Sequence, residues 1–331
     1  MRNDDFLTAL CYTDAVKHKN HPEEQNMNNW DVRDRVQKVA IIGIGIQGSM
    51  IAFRNALHGK QVCGYSRTEK SAAVCRDKID RWAAWYVQQG KITEEEAGAL
   101  KKRISYASSL EECVEDADLM IECVPEKLAL KQEMFGTLDK ICPAKTLFNS
   151  NTSSLLMSEI YVNCSEDRKA KTFSTDHDDP VRNSYLEMMW NSSTSEETKE
   201  AALAHYHTLG FLPVVTKKEN KGYSVNRVWR AVKRECLWLW ANGYCDPAEF
   251  DRGWKEEWES KVGPFELMDL IGLDTIYNIE MSYYNASGEE RDRPPQKLKD
   301  MVDAGILGMK SGSGFYDGYD TVAGNLVDEK K

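Results

Sequence analysis

Val39-Ala40-Ile41-Ile42-Gly43-Ile44-Gly45-Ile46-Gln47-Gly48 is an apolar strand that runs into a glycine turn. The spacing Gly43-x-Gly45-x-x-Gly48 lets the backbone come close to a pyrophosphate, which then rests at the N-terminus of the next helix, with Ile46 and Gln47 completing the cradle. That helix is expected over 49–58. A second apolar strand, Val62-Cys63-Gly64-Tyr65, ends about 20 residues further on, where a dinucleotide fold reads the ribose. An NAD site wants Asp or Glu there to accept from the 2′-hydroxyl. This chain has Ser66-Arg67-Thr68, and two hydroxyls with a guanidinium suit a 2′-phosphate. NADP(H) is the expected cofactor, with NAD(H) the alternative if residues 66–68 are only a polar turn.

The chain has 331 residues, room for two domains with substantial cores. Its net charge of −10 argues against a nucleic-acid partner, which needs a basic face. No apolar run approaches membrane-spanning length, and Met1-Arg2-Asn3-Asp4-Asp5 lacks the apolar segment of a signal peptide. Nine cysteines without a Cys-x-x-Cys pair read as reduced thiols, hence a cytoplasmic protein.

Residues 1–36 read as a polar extension and 323–331 as a tail. Over 37–218, strands alternate with helices. Leu119–Val124, Thr146–Phe148 and a segment around Lys171-Thr172-Phe173 are strands; 69–103 and 127–140 are helical, with a break at Gly90 and a capping box at Thr93-x-x-Glu96. This alternation predicts an α/β fold, a Rossmann-type doubly wound parallel sheet. From 219 to 322 the apolar period becomes helical, as in Val225, Val228, Trp229, Val232, Cys236, Leu239 and Trp240, so a smaller all-α C-terminal domain follows.

Five segments, in order, carry a resemblance. They are Ala117-Asp118-Leu119-Met120-Ile121-Glu122-Cys123-Val124-Pro125-Glu126, Asn151-Thr152-Ser153-Ser154-Leu155, Gly222-Tyr223-Ser224-Val225-Asn226-Arg227, Gly263-Pro264-Phe265-Glu266-Leu267-Met268-Asp269 and Gly308-Met309-Lys310-Ser311-Gly312-Ser313-Gly314-Phe315-Tyr316. The chain resembles the 3-hydroxyacyl-CoA dehydrogenases, including their lambda-crystallin and carnitine-dehydrogenase-like relatives. The resemblance implies a catalytic set of Ser, His, Glu and Asn. Ser153 and Asn226 match its serine and asparagine, and a serine hydroxyl can donate to a substrate carbonyl. Val124, Pro125, Glu126, Lys131 and Asn151 match positions near the cofactor. The resemblance also implies a homodimer, and a CoA thioester among the candidate substrates. Arg81, Lys101, Lys102 and Arg103 fall where the family meets CoA, although such charges also suit a solvated helix face.

The family pattern His-x-x-Asn-Pro is disturbed in Thr175-Asp176-His177-Asp178-Asp179-Pro180. Anchored on Pro180, the histidine position holds Asp176, and His177 lies one residue off. A local gap would restore a His177–Glu187 dyad, and an imidazole suits acid/base work near neutrality. His177 with Glu187 is therefore the expected pair, with Asp176 the competing occupant. His18, His21, His58, His205 and His207 lie elsewhere, and no metal site is expected. The expected function is an NADP-dependent oxidoreductase moving hydride between cofactor and a 3-hydroxy/3-keto acyl or related carbonyl compound. Trp229, Trp238, Trp240, Trp254 and Trp258 raise the alternative of a bulky substrate without CoA. The disturbed histidine motif raises that of a catalytically weak, crystallin-like NADP-binding protein.

Overall fold

β1 (Lys38–Ile42) lies inside an eight-stranded sheet because four of its five residues are buried and apolar, as a strand covered on both faces requires. A computed structural model of the chain describes residues 33–319. The extension expected over 1–36 falls almost wholly outside the described residues, as does the tail at 323–331. Residues 33–227 and 228–319 belong to two separate compact units.

In the first unit the strand order is β3-β2-β1-β4-β5-β6-β7-β8. β2 is Gln61–Tyr65, β3 Ile104–Ala107, β4 Leu119–Glu122 and β5 Leu147–Asn151. β6 (Thr172–His177) extends the parallel set through its pairing with β5. β7 (Tyr185–Met189) then runs antiparallel to β6, and β8 (Leu212–Thr216) parallel to β7. The sheet is thus the expected doubly wound parallel one up to β6, with a hairpin-like reversal after it. Ala40, Ile42, Met120, Phe135, Phe148, Met157 and Tyr161 form its main apolar cluster.

The helices of this unit are α1 (Ile46–Leu57), α2 (Glu69–Gln88), α3 (Glu94–Lys102), α4 (Leu110–Val114), α5 (Leu128–Ile141), α6 (Met157–Ile160), α7 (Glu166–Lys169) and α8 (Glu196–Thr208). α3 begins at the expected capping box: Glu96 N donates to Thr93 Oγ1 (3.2 Å), and Thr93 N donates back to the Glu96 carboxylate (2.7 Å).

α9 (Val225–Ala241) carries the chain into the second unit. There α10 (Pro247–Glu257), α11 (Pro264–Ile271), α12 (Leu273–Ser287) and α13 (Gln296–Asp303) follow. Cys236, Leu237, Phe265, Met268, Leu273, Ile276 and Leu298 are its buried apolar cluster. Two buried aspartates tie its loops. Asp251 accepts from Phe265 N (3.0 Å), Glu266 N (2.8 Å) and Tyr316 Oη (2.8 Å). Asp269 accepts from Phe315 N, Tyr316 N and Tyr319 Oη, each at 3.0 Å.

Candidate active site

The three glycines of the turn do three different jobs. Gly43 has φ +101°, and a Cβ there would sit 2.7 Å from the Cys123 carbonyl oxygen. At Gly48 a Cβ would lie 2.2 Å from the Gly43 oxygen, so this glycine closes the turn against α1. Gly45 has no atom of the described residues within 4 Å of where its Cβ would be. It is also the N-cap of α1, which has neither a side-chain cap nor an acid in its first turn. Open space over uncapped N–H groups at a helix N-terminus fits an anionic pyrophosphate.

The glycine turn is bonded to the end of β2, with Gly43 N donating to the Tyr65 carbonyl at 2.9 Å. Residues 66–68 therefore follow directly beside the cradle. Thr68 caps α2 and accepts from Ser71 N (3.3 Å), so one expected hydroxyl already has a structural use. Arg67 is exposed, and among the described residues no hydrogen bond or ion pair engages it. Its guanidinium is free to meet a phosphate, and neither neighbour at 66 or 68 is acidic.

Val124, Pro125 and Glu126 follow β4 at the same C-terminal edge of the sheet, where open α/β sheets hold their ligands. Glu126 accepts from Thr152 Oγ1 and from Ser154 Oγ (3.0 Å), tying this loop to the one after β5. Lys131, expected near the cofactor, is drawn into the protein behind Glu126. It is fully buried, with Nζ 2.7 and 2.8 Å from the Glu122 oxygens, 3.3 Å from Glu126 and 3.4 Å from the Val124 carbonyl. Its ammonium thus faces the buried Glu122 carboxyl, the kind of partner a buried charge needs.

Ser153 lies in the turn just past β5, exposed, with no hydrogen-bond partner among the described residues. Its hydroxyl is available to a ligand. Asn226 stands in the first turn of α9, and its Nδ2 donates to Asp176 Oδ2.

The expected His177–Glu187 dyad does not form. In the antiparallel β6–β7 pair Asp176 lies opposite Glu187, whereas His177 lies opposite Leu186. Neighbouring strand residues point to opposite faces, so His177 is turned away from Glu187. Its Nδ1 bonds the Asn151 side-chain oxygen at 2.8 Å, and its ring packs on Tyr206 and Phe211 at centroid distances of 5.5 and 5.4 Å. It is 3% exposed, and among the described residues its Nε2 has no partner. Burial, then the charges of His205 and Arg54, push its pKa down to about 3. Such an imidazole stays neutral and inside the core. The same contact ties the amide of Asn151, expected at the cofactor, to the His177 ring.

Glu187 is completely buried and accepts from three backbone donors at the start of α9: Ser224 N (2.9 Å), Val225 N (2.9 Å) and Asn226 N (3.3 Å). The resemblance supplied this residue, but not its helix-capping task. Asp176, Glu187 and Asn226 thus meet at one point, from β6, β7 and α9. Sequence reasoning held the signal for Asp176 in its spacing to Pro180, but set it aside for the chemically familiar histidine.

Residues 38–220 match the model of the 3-hydroxyacyl-CoA dehydrogenase NAD binding domain, and residues 222–318 match that of the C-terminal domain. A probable 3-hydroxybutyryl-CoA dehydrogenase of Bacillus subtilis (strain 168) is 34% identical over 282 residues, 85% of this chain and 97% of the relative. A 5-formyl-3-hydroxy-2-methylpyridine 4-carboxylate 5-dehydrogenase of Mesorhizobium japonicum is 28% identical over 294 residues, 85% of this chain and 90% of the relative. The solved structure of a diketoreductase acting on dicarbonyl compounds gives a TM-score of 0.77 at 30% identity, covering 85% of this chain and 99% of that one. With both domain models matched in order and the nucleotide cradle formed, the chain belongs to the 3-hydroxyacyl-CoA dehydrogenase family, as an oxidoreductase with a nicotinamide dinucleotide cofactor.

Proposed function

We propose that the protein interconverts a hydroxyl and a keto group on a 3-hydroxy/3-keto acyl or related carbonyl substrate, with NADP(H) preferred over NAD(H). The observation that carries the cofactor preference is the unpaired, exposed Arg67 beside the glycine turn, with no acid at 66 or 68 to bind a ribose 2′-hydroxyl. When bound, the nicotinamide supplies or accepts the hydride. Ser153 donates its hydroxyl to the substrate oxygen and stabilises the charge that develops there. Asn226 fixes the carboxyl of Asp176 at the same edge of the sheet.

A second reading, a bulky substrate without CoA, is favoured by two relatives. One is named for a pyridine carboxylate and the other for dicarbonyl compounds. Nicotinamide absorbance, followed with NADPH and NADH against acetoacetyl-CoA, free 3-keto acids and aryl diketones, separates the readings. Turnover of the thioester alone supports the first, and turnover of the diketones alone the second. Cofactor binding without turnover of any would overturn both.

We also read the second unit as a homodimer contact, because Trp238, stacked on Tyr244, and Trp258 stand 48% and 66% exposed. Light scattering at micromolar concentration should give twice the chain mass. The cytoplasm is the proposed compartment, on the eight free cysteines among the described residues.

A further inference from the structure

Strands β6 and β7 place two carboxyl groups directly opposite each other, Asp176 and Glu187. Like charges at such a cross-strand pair are unfavourable, so an arrangement that keeps both needs a reason. The two are treated differently by their neighbours. Glu187 takes three backbone N–H donors at the positive end of α9, the kind of contact an anion makes strongly. Among the described residues Asp176 has a single donor, the Asn226 amide on Oδ2, and its Oδ1 has none. One oxygen is thus anchored and the other is left without a donor, on a half-buried side chain at the C-terminal end of β6, as Ser153 is just past the end of β5.

We propose that Asp176, anchored by Asn226 and faced by the Glu187 carboxylate, is the group that exchanges a proton with the substrate oxygen. The inference rests on the oxidoreductase reading above and names the residue that performs its proton step. On reduction, the hydride's electron pair forms the new C–H bond and the carbonyl π pair moves onto oxygen. That oxygen takes the proton from Asp176 Oδ1, and the resulting carboxylate is reprotonated from solvent. On oxidation the Asp176 carboxylate takes the hydroxyl proton as the hydride leaves.

The surroundings suit this work. Burial first, then the Glu187 charge, raise the Asp176 carboxyl to about 7, against the lowering effect of the Asn226 bond. Asp178 and Glu126 add negative charge from the loops after β6 and β4. Burial first, and then the same charges, push up the phenols of Tyr185 on β7 and Tyr223 before α9, so they stay neutral. An acid/base group that titrates near the working pH is the one that transfers protons best. Asp176 thereby does with a second carboxylate what the family pattern does with an imidazole.

The experiment uses the full chain and three variants. Asp176→Asn should lower kcat by about 10²–10⁴-fold with KM and cofactor affinity nearly unchanged. Asp176→His, which restores the family residue type, should recover turnover to within about tenfold of the parent, with a limb near the ordinary histidine range. His177→Gln should keep kcat within about threefold, because its ring points into the core. Carboxyl titration by NMR on the cofactor-free protein, labelled at aspartate, should show one aspartate titrating near neutral pH that is missing from Asp176→Asn. Wild-type turnover in Asp176→Asn, or loss of turnover in His177→Gln without unfolding, would overturn the proposal. So would an aspartate set that titrates entirely in the ordinary acidic range. If the wild type turned over no substrate, the oxidoreductase reading would fail by itself, and the titration would still decide whether Asp176 holds a proton near neutrality.

Discussion

Asp269 in the second unit and Asp176 in the first are both withdrawn from bulk solvent, but their neighbours treat them in opposite ways. Asp269 accepts three hydrogen bonds and has two glycines folded over it. A Cβ on Gly314 would fall 2.1 Å from its Oδ1, and one on Gly308 2.4 Å from its carbonyl oxygen. Asp176 has one amide donor and another carboxylate opposite. A buried carboxylate whose oxygens are fully partnered holds loops together. One left short of donors beside a like charge stores a readily transferred proton. The two glycine-rich segments differ in the same sense: the turn at Gly45 leaves a space, and the segment at Gly314 fills one.

The comparison is broken most directly by stability. Asp269→Ala strips the acceptor from three donors at about 1–3 kcal/mol each, so the second unit should lose at least about 3 kcal/mol in urea unfolding. Asp176→Asn should do the reverse at alkaline pH. A carboxyl raised from 3.8 to about 7 binds its proton more tightly in the folded chain. Folding stability therefore falls as pH climbs between those values, and the loss is complete above them. Asn has no proton to lose. The variant should match wild type near pH 4 and exceed it by about 2–4 kcal/mol near pH 8. His177 and His205, whose depressed pKa values make the fold lose stability as pH falls, are common to both proteins and cancel in the difference. Parallel stability curves for the two proteins would mean that Asp176 holds its proton no more tightly in the folded chain than in the unfolded one.

The glycines sharpen the same contrast. Gly314→Ala forces a methyl into the Asp269 carboxylate, and overpacking of that kind costs about 1–3 kcal/mol or more. Its melting temperature should drop. Gly45→Ala meets nothing in the folded chain and has an extended backbone, so its melting temperature should hold. What it should lose is dinucleotide affinity, by about tenfold or more, since the added methyl stands where the pyrophosphate approaches. Calorimetric melting and cofactor titration on both variants read the two effects separately. Equal destabilisation would erase the distinction between the two segments.

Much of this architecture could be read from residues alone, for reasons particular to each part. The glycine turn was legible because its spacing encodes a local shape, and the capping box at Thr93 because its partners lie three residues apart. β7, β8 and α8 were not foreseen. Tyr185–Met189 and Leu212–Thr216 are short and lack a distinctive period, and their pairing is decided by distant chain. The dyad failed for a related reason. Which face His177 occupies depends on strand register, and a shift of one residue moves a side chain to the other side of a sheet. Residue type favoured histidine, and register favoured Asp176. The burial of Lys131 was not legible because its partner, Glu122, lies on β4, and no helical period on α5 announces a buried ammonium.

The smallest expected effect concerns Arg67, where the open region of the molecule meets its ligand rather than its own chain. A charge-assisted contact between a guanidinium and a 2′-phosphate is worth about 1.5–3 kcal/mol, or roughly 10- to 150-fold in affinity. Thr68 is committed to capping α2, so most of that preference falls on Arg67. Arg67→Ala should therefore weaken NADPH binding by about tenfold or more while leaving NADH nearly unchanged. Because the side chain is exposed and has no partner within the described residues, the melting temperature should not move. Thr68→Ala should show the mirror image, a loss of about 1 kcal/mol in stability from the missing helix cap with a minor change in cofactor preference. If wild type binds NADH and NADPH equally, the open arginine is an ordinary surface charge, and the discrimination expected of the 66–68 turn is absent.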